Sequence, residues 1–311
     1  MLPALQRFLT PGHPNAIWAG FALVIAGNFL FAVNDVLGKV LLASFGIGQL
    51  LAIRAVGTLL ILGPAMVKRG ENPFSNVKRP VLQTVRVILT VIDSGLFFAA
   101  VKFLPVADVI TFYMASPIYV AFVSRFLLGE QVGWRRWTAI LAGFVGVVIA
   151  LNPSTTSFSA AALFALTGSF SFTLAMLLNK VLADTPDTTL GFFQSIGMIV
   201  IGAFFALFDW RALDLFGVIS ILFLGIVSGS AHMMLTRSLK LAPVSVIAPF
   251  QYTLLLWGMV LGLIVFGDVP SNNILVGAAI IVLAGLFIVH RQAKRQEQGG
   301  PEVAPPPDQY P

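Results

Sequence analysis

The stretch Lys102-Phe103-Leu104-Pro105-Val106 opens a long apolar run that closes at Gly129-Glu130. The same pattern returns 138 positions later as Lys240-Leu241-Ala242-Pro243-Val244, before a run that closes at Gly267-Asp268. A lysine in the last turn suits the negative end of a helix dipole, and proline is tolerated at the first position of the next helix. Each stretch therefore predicts a helix end, a tight corner and a second helix that runs antiparallel to the first.

A second pair of motifs supports a repeat. Gly27-Asn28-Phe29-Leu30-Phe31 leads to Lys39-Val40-Leu41, and 141 positions later Gly168-Ser169-Phe170-Ser171-Phe172 leads to Lys180-Val181-Leu182. Both pairs keep nearly the same offset and the same order. A period of this kind is the first signal to read in a sequence, because it fixes the architecture. We predict two copies of one unit, at residues 17–151 and 159–290.

The composition indicates a membrane protein. Hydrophobic residues make up 58% of the 311 positions and charged residues only 10%, whereas a soluble domain carries about 25% charged residues. Apolar runs of about 20 residues predict membrane-spanning helices, not barrel strands. The chain has no cysteine, which excludes disulfides and thiolate metal sites. The net charge of +6 would suit nucleic acid, but the basic residues lie at predicted helix ends, so we expect no nucleic-acid partner.

Ten apolar segments are each long enough to cross a hydrocarbon core of about 30 Å. We expect residues 1–16 to be a cytosolic lead, and residues 291–311 to be a basic and then Pro/Gly-rich disordered tail. The ten predicted spans are Ile17–Leu42, Ile47–Val67, Val81–Phe103, Pro105–Leu128, Trp134–Leu151, Ser159–Leu182, Thr189–Phe208, Leu213–Leu239, Pro243–Phe266 and Asn273–His290.

The distribution of basic residues predicts the orientation. With the N-terminus in the cytosol, 14 of the 19 lysines and arginines fall on the inner side and 3 on the outer side. This bias predicts that both termini are cytosolic. Each copy has five spans, an odd number, so the second copy must enter the membrane inverted. Two inverted repeats are the common plan of secondary transporters, with the substrate near the bilayer midplane where the repeats meet.

Ten spans in two repeats, the Lys-x-x-Pro-Val corner and the Gly-Glu or Gly-Asp after each fourth span resemble the drug/metabolite transporter (DMT) superfamily, in its EamA branch. Within that branch the chain is similar to the YddG-type exporters of aromatic amino acids. The resemblance implies a central cavity lined by spans 1–4 and 6–9, with spans 5 and 10 as outer supports. It also implies export of amino acids or similar metabolites across the bacterial inner membrane.

Ionisable residues inside the spans are costly, so each requires an explanation. Asp35 and Arg54 lie at matched depth in spans 1 and 2, where they form either a structural ion pair or an outer gate. Asp93 in span 3 and His232 in span 8 occupy neighbouring positions of the two copies. They form either a proton relay or separate hydrogen bonds to polar neighbours. Asp93 has Arg86 and Lys102 as further candidate partners.

Amide and aromatic side chains at similar depths predict a substrate site. Amides can hold a carboxylate and an ammonium group without a fixed charge, and inward-facing rings stack on a flat side chain. The alternatives for each residue are helix-to-helix bonding, packing or contact with lipid. The predicted substrate-binding residues are Asn28, Phe31, Asn34, Tyr113, Gln194, His232, Gln251, Tyr252 and Trp257.

Prolines and glycines predict where helices bend and touch. Pro117 falls in the middle of span 4 and Pro249 near the middle of span 9, and each permits a kink because proline removes a backbone hydrogen bond. Kinks in corresponding helices suit alternating access. The pairs Gly225-x-x-x-Gly229 and Gly258-x-x-x-Gly262 predict close packing of spans 8 and 9.

We therefore predict a secondary transporter that exports amino acids with aromatic or apolar side chains, and similar small metabolites, by alternating access. The chain has no phosphate-binding loop, so we expect no ATPase partner. We also expect no cofactor, metal or catalytic residue, and a monomer whose partners are the substrate and the lipid bilayer. The alternatives are an uptake carrier, a nucleotide-sugar-type antiporter, a passive channel, or a membrane-embedded enzyme built on Asp93 and His232.

Overall fold

The computed structural model describes residues 16–75, 77–103, 106–129, 133–151 and 160–267, with scattered positions between 272 and 287. All regular structure within these ranges is helical. The helices are α1 Ala16–Leu42, α2 Ile47–Arg69, α3 Pro80–Val101, α4 Val106–Tyr113, α5 Ser116–Leu127, α6 Trp134–Leu151, α7 Ala160–Val181, α8 Asp187–Ala206, α9 Leu215–Leu241, α10 Val244–Ile247 and α11 Thr253–Phe266, with a 3₁₀ turn, Ala248–Tyr252, between α10 and α11.

The helices follow the predicted spans closely up to residue 267. Helices α1–α3 correspond to spans 1–3 and α6–α9 to spans 5–8, while spans 4 and 9 are each divided into shorter helices. Seven helices of the described chain are long and apolar enough to cross a membrane. The predicted lead, the tail and most of span 10 lie outside the described residues. The count of ten spans therefore stays a prediction.

The two divided spans are interrupted at corresponding places. Span 4 breaks at Met114–Ala115, and Pro117 is the second residue of the helix that follows. Span 9 leaves α-helical geometry over Ala248–Tyr252, a 3₁₀ segment that contains Pro249. Shifted by the 138-residue period, the second break falls on residues 110–114 and overlaps the first at Met114. Proline lacks an N–H, so one helical backbone hydrogen bond is missing at each of these places.

The second corner and both closing glycines take the predicted geometry, whereas Leu104 and Pro105 of the first corner lie outside the described residues. Helix α9 ends at Leu241 and α10 begins at Val244, across the corner that contains Pro243. Gly129 and Gly267 have positive φ angles of 66° and 72°. A glycine in the left-handed conformation commonly ends a helix because it lacks a Cβ. The same residue types therefore end the fourth span of both copies.

Helices of the first copy pack against helices of the second. α1 packs on α9, α3 on α7, and α2 on α8. A Cβ on Gly48, at the start of α2, would meet Ala206 at the end of α8, whereas Gly191 at the start of α8 faces Leu62 near the end of α2. The two helices are therefore antiparallel. Two inverted copies predict such pairings, and the inversion across the membrane stays a prediction.

Helices α2 and α9 approach until their backbones touch. A Cβ on Gly225 would lie 1.8 Å from the carbonyl oxygen of Arg54, and one on Gly57 would lie 2.1 Å from the carbonyl oxygen of Leu222. The hydroxyl of Thr58 donates to the carbonyl of Gly225 at 2.7 Å. Small residues permit this contact, and van der Waals packing together with interhelical hydrogen bonds holds helices together in lipid.

The other predicted glycine pair has no such role. A Cβ on Gly258 or Gly262 would meet no described atom within 4 Å. The prediction of close packing through these two glycines was therefore wrong. Both lie on α11, where the neighbouring exposed residues include Val260 and Ile264, so this part of the helix faces away from the other described helices.

Ion pairs join neighbouring helices at each end of the bundle. We call the end where α1 gives way to α2 the outer end, following the predicted orientation, and the opposite end the inner end. At the outer end Lys102 lies 3.5 Å from Asp209, and both side chains are partly exposed. At the inner end Lys240 lies 2.7 Å from Asp187, and the lysine side chain is only 5% exposed. Exposed pairs contribute little stability, whereas breaking a buried pair is costly.

Candidate functional site

A cavity of about 90 Å³ lies in the middle of the bundle. We call it the central cavity. Residues from both copies form its wall, and it touches both helix breaks, at Met114 and Gln251. Its polar lining consists of Asn34, Asp35, Arg54, Asp93, Ser94, Tyr113, Ser228, His232 and Gln251, and its aromatic lining includes Phe31, Phe97, Phe98 and Phe172.

Arg54 on α2 is the central feature of this cavity. Its side chain is buried, with the residue only 5% exposed. The guanidinium carbon lies 5.2 Å from the centre of the Phe98 ring, a cation–π distance. Within the described chain the guanidinium makes no hydrogen bond and no ion pair shorter than 4.0 Å. A buried charge without a bonded partner is costly, so Arg54 presents unused donors to any anionic group that enters.

Two carboxyl groups share the cavity without pairing with Arg54. Asp35 accepts a hydrogen bond from the amide of Asn34 at 3.1 Å, and Asp93 accepts one from the hydroxyl of Tyr113 at 2.7 Å. Asp35 and Arg54 form no ion pair in the structure, so the predicted structural ion pair between spans 1 and 2 is corrected. The lone pairs left on both carboxyl groups remain able to receive an ammonium group.

His232 on α9 lies beside these groups. Its Nδ1 is 2.9 Å from the carbonyl oxygen of Ser228, and its ring meets Phe31 edge to face at 4.8 Å. When Nδ1 donates to that carbonyl, the neutral ring keeps Nε2 as an acceptor. His232 and Asp93 also border a small adjacent cavity of about 20 Å³. The structure therefore brings the two residues of the predicted relay to one place.

The aromatic side of the cavity is a chain of ring contacts. Phe97 meets Phe98 and Tyr113 edge to face, with 5.4 Å between ring centres in each pair. Phe172 from the second copy lies 6.2 Å from Tyr113. Such a wall accepts a flat or apolar side chain. The sequence prediction placed Phe31 and Tyr113 in the site but not Phe97, Phe98 or Phe172, because depth alone did not distinguish them among 27 phenylalanines.

Three predicted contacts lie away from the central cavity. The Asn28 amide donates to the carbonyl of Phe250 at 2.8 Å, so it stabilises the 3₁₀ part of span 9. The Tyr252 hydroxyl donates to the carbonyl of Ile140 at 2.9 Å. Trp257 packs edge to face on a phenylalanine of α1 at 5.1 Å. These side chains make helix contacts and do not line the central cavity, and their binding of substrate stays a prediction.

Gln194 belongs to a second cavity. This cavity, about 30 Å³, lies towards the inner end between α2, α3, α8 and α9. We call it the inner cavity. Arg54 and His232 line both the central and the inner cavity. Gln194 accepts a hydrogen bond at 3.3 Å from Arg86, which the sequence had offered as a partner of Asp93. Arg86 instead bonds to neighbours on α3, α7 and α8.

Comparison with known proteins shows which family this architecture represents. The model of the EamA-like transporter family matches residues 18–152 and, a second time, residues 159–290. The chain belongs to the EamA-like transporter family. This EamA-family protein is therefore an integral membrane protein and a secondary transporter, with two copies of the family unit. A solved crystal structure shares the fold, with a TM-score of 0.72 at 18% identity over 91% of this chain and 98% of that chain.

Named relatives of this EamA-family transporter differ in cargo and direction. An S-adenosylmethionine uptake transporter of Rickettsia bellii (strain RML369-C) is 25% identical over 85% of this chain and 90% of its own. A riboflavin transporter of Vibrio cholerae is 28% identical over 92% of this chain and 97% of its own. A pseudopaline exporter of Pseudomonas aeruginosa is 22% identical over 86% of this chain and 94% of its own. Membership in the family is therefore compatible with uptake and with export.

Proposed function

We propose that this transporter carries zwitterionic amino-acid metabolites with aromatic or apolar side chains and exports them by alternating access. The observation that supports this most directly is the buried guanidinium of Arg54, which has no bonded partner in the described chain. Arg54 binds the carboxylate of the substrate, and Asp35 or Asp93 receives its ammonium group. Phe97, Phe98 and the other rings of the cavity wall hold the side chain.

The size of the central cavity supports a moving site. At about 90 Å³ it is smaller than the ~150 Å³ cavity in which an engineered protein binds benzene. An aromatic amino acid therefore enters only when the surrounding helices separate. The interruptions of spans 4 and 9 adjoin the cavity at Met114 and Gln251, where the chain can bend without breaking a complete helical ladder.

The charges in the central cavity support coupling to protons. With Asp35 and Asp93 ionised and His232 neutral, the two carboxylates and Arg54 sum to a charge of −1. One bound proton brings the cavity to zero when no substrate is bound, and the substrate displaces this proton when its ammonium group binds a carboxylate. We propose that Asp93 and His232, which share the cavity wall, exchange this proton during the cycle. Export of the substrate would then be driven by entry of a proton.

A second candidate function is uptake of S-adenosylmethionine. This metabolite combines an amino-acid group with a sulfonium and an adenine ring, and its net charge is positive. A cavity with two ionised carboxylates and one guanidinium complements that charge, and the aromatic wall accepts the adenine ring. Rickettsial relatives that match 85–94% of this chain carry this name. The unloaded cavity holds one proton under the first candidate and none under the second.

Counterflow in proteoliposomes tests the proposal. Vesicles preloaded with unlabelled compound are given the same labelled compound, with L-tryptophan, L-phenylalanine, L-leucine, S-adenosylmethionine and riboflavin tested in turn. Charge-assisted hydrogen bonds contribute about 1.5–3 kcal/mol, so Arg54→Gln should raise KM by about 10- to 150-fold. Arg125→Gln, a matched change on an exposed residue of α5, should leave KM unchanged.

The panel decides between the candidates. Accelerated exchange of an aromatic or apolar amino acid supports the first candidate, and exchange of S-adenosylmethionine alone supports the second. Equal KM values for Arg54→Gln and Arg125→Gln would remove Arg54 from the site. For direction, cells that express the protein should lose a preloaded amino acid faster than cells with the Arg54→Gln variant, and faster accumulation instead would show uptake.

A further inference from the structure

The inner cavity contains a second buried arginine that the substrate site does not use. Arg86 on α3 is only 1% exposed, and together with Arg54 it lines this cavity. The carboxylate in the cavity lining belongs to Asp187. That carboxylate is already engaged by Lys240 at 2.7 Å and by Arg237 at 3.5 Å. The inner cavity therefore has an excess of positive charge.

The hydrogen bonds of Arg86 leave its charge uncompensated. Its donors reach the side-chain oxygens of Gln83 at 3.3 Å and Asn179 at 3.0 Å, besides that of Gln194. One further bond goes to the backbone carbonyl of Leu190. All four acceptors are neutral, and no carboxylate of the described chain lies within 4.0 Å of the guanidinium. Four acceptors for five N–H groups leave one donor unused.

A purely structural arginine does not account for this arrangement. Arg86 does join α3 to α7 and α8, through Asn179 and Leu190. However, its four acceptors are all neutral, so these bonds do not offset the cost of burying an unpaired charge. The positive charge is therefore what distinguishes Arg86, and a positive charge in a cavity points to an anionic ligand.

The two arginines lie at different depths. Arg54 is seven residues from the outer start of α2 at Ile47, and Arg86 is six residues from the inner start of α3 at Pro80. At ~1.5 Å per residue, roughly 14 Å separates them along the bundle axis. His232 and Gln194 border the inner cavity between α2, α3, α8 and α9. A carboxylate that leaves Arg54 towards the inner end therefore meets Arg86 next.

We propose that Arg86 forms a second, inner binding site for the carboxylate of the cargo, reached after or before the Arg54 site in each cycle. This inference rests on the proposed function in that the cargo carries a carboxylate. Arg54 binds the group when the cargo occupies the central cavity, and Arg86 binds it when the inner cavity widens. The two sites lower the cost of moving a carboxylate through the inner half of the membrane.

Binding of labelled benzoate to the purified full-length protein in lipid nanodiscs tests the second site without requiring transport. Benzoate has a carboxylate and a ring but no ammonium group. Arg54→Gln should weaken binding at least tenfold and leave a residual component. The double variant Arg54→Gln with Arg86→Gln should lose that component. Complete loss of binding in Arg54→Gln alone, or residual binding that persists in the double variant, would overturn the second site.

Side-specific kinetics provide the second measurement. In proteoliposomes of one orientation, Arg86→Gln should raise KM at least tenfold for cargo offered at the inner face and by less than twofold at the outer face. An equal change at both faces would show a structural role. If Arg86→Gln does not fold, Arg86→Lys keeps the charge without the planar fork. In the Arg54→Gln background Arg86→Lys should retain benzoate binding, and its loss from a folded protein would overturn the proposal.

These outcomes separate the inference from the proposed function. Absence of amino-acid exchange in the wild-type protein would overturn the proposed cargo. It would leave the benzoate result intact, because benzoate reports only the anion site. Conversely, normal amino-acid exchange with no benzoate binding attributable to Arg86 would leave the Arg54 site in place and remove the inner one.

Discussion

The contact between α2 and α9 holds the backbone of Arg54 in place, and Gly225→Ala should disturb it. The added Cβ would lie 1.8 Å from the Arg54 carbonyl oxygen, whereas real Cβ contacts essentially never fall below 3.0 Å. Both atoms adjoin rigid helix backbone, so no flexible side chain can yield. The two helices must therefore move apart locally by at least about 1.2 Å.

That displacement should affect transport more than stability. Overpacking of a helix contact costs about 1–3 kcal/mol, whereas a misplacement of about 1 Å in a positioned site can reduce a rate about 100-fold. We therefore expect Gly225→Ala to insert into the membrane and to lower kcat/KM for counterflow by about 10- to 100-fold. The hydrogen bond from Thr58 to the Gly225 carbonyl, 2.7 Å long, should also lengthen.

Gly258→Ala provides the matched control. It is the same chemical change in a neighbouring span, but its Cβ would meet no described atom within 4 Å. The control should transport at the wild-type rate. Transport and the midpoint of thermal unfolding are measured for both variants in the same lipid. If Gly225→Ala transports as well as Gly258→Ala, the α2–α9 contact does not position Arg54 and the reasoning fails.

Three further predictions concern the cavity and the inner end. Tyr113→Phe removes the 2.7 Å hydrogen bond to Asp93, a loss of about 1 kcal/mol, so KM should rise about fivefold in counterflow; an unchanged KM would contradict this. Asp93→Asn should abolish the response of transport to an imposed pH gradient, and a wild-type response would exclude Asp93 from coupling. Lys240→Met breaks the buried pair with Asp187 and should lower the unfolding midpoint by about 5 °C or more. Lys78→Met, in an exposed pair, should leave the midpoint within about 1 °C, and equal midpoints for both variants would refute the difference.

Much of the fold was predictable because local chemistry determines it. Pro243 and Gly267 act within one turn of their own position, so a repeat of such residues marks corners and helix ends without knowledge of the tertiary structure. The breaks near Pro117 and Pro249 follow for the same reason. The failure at Gly258 has the opposite cause, since a glycine pair reports close packing only if its face of the helix meets another helix.

The candidate site was predictable in part. Charged residues are rare inside apolar spans, so Arg54 and Asp93 are conspicuous in the sequence, and both line the central cavity. Amides and rings are less informative, because the same side chain serves the backbone or the substrate depending on the rotation of its helix. Asn28 illustrates this, since its amide donates to the backbone carbonyl of Phe250, in the 3₁₀ segment of span 9.

The role of Arg86 could not be read from the sequence at all. In the sequence Arg86 is only a candidate partner of Asp93 within span 3, and nothing near it in the chain indicates its neighbours on α7 and α8. Only the tertiary structure shows that its acceptors are neutral and that it shares a cavity with Arg54. Long-range neighbours of this kind leave no local pattern.

The central claim is that Arg54 binds the carboxylate of the cargo, and the most direct measurement compares L-tryptophan with L-tryptophanamide as competitors of exchange. The amide keeps the ring and the ammonium group but lacks the carboxylate. The wild-type protein should prefer the acid at least tenfold, and Arg54→Gln should reduce this preference to less than twofold. An undiminished preference for the acid in Arg54→Gln would contradict the claim.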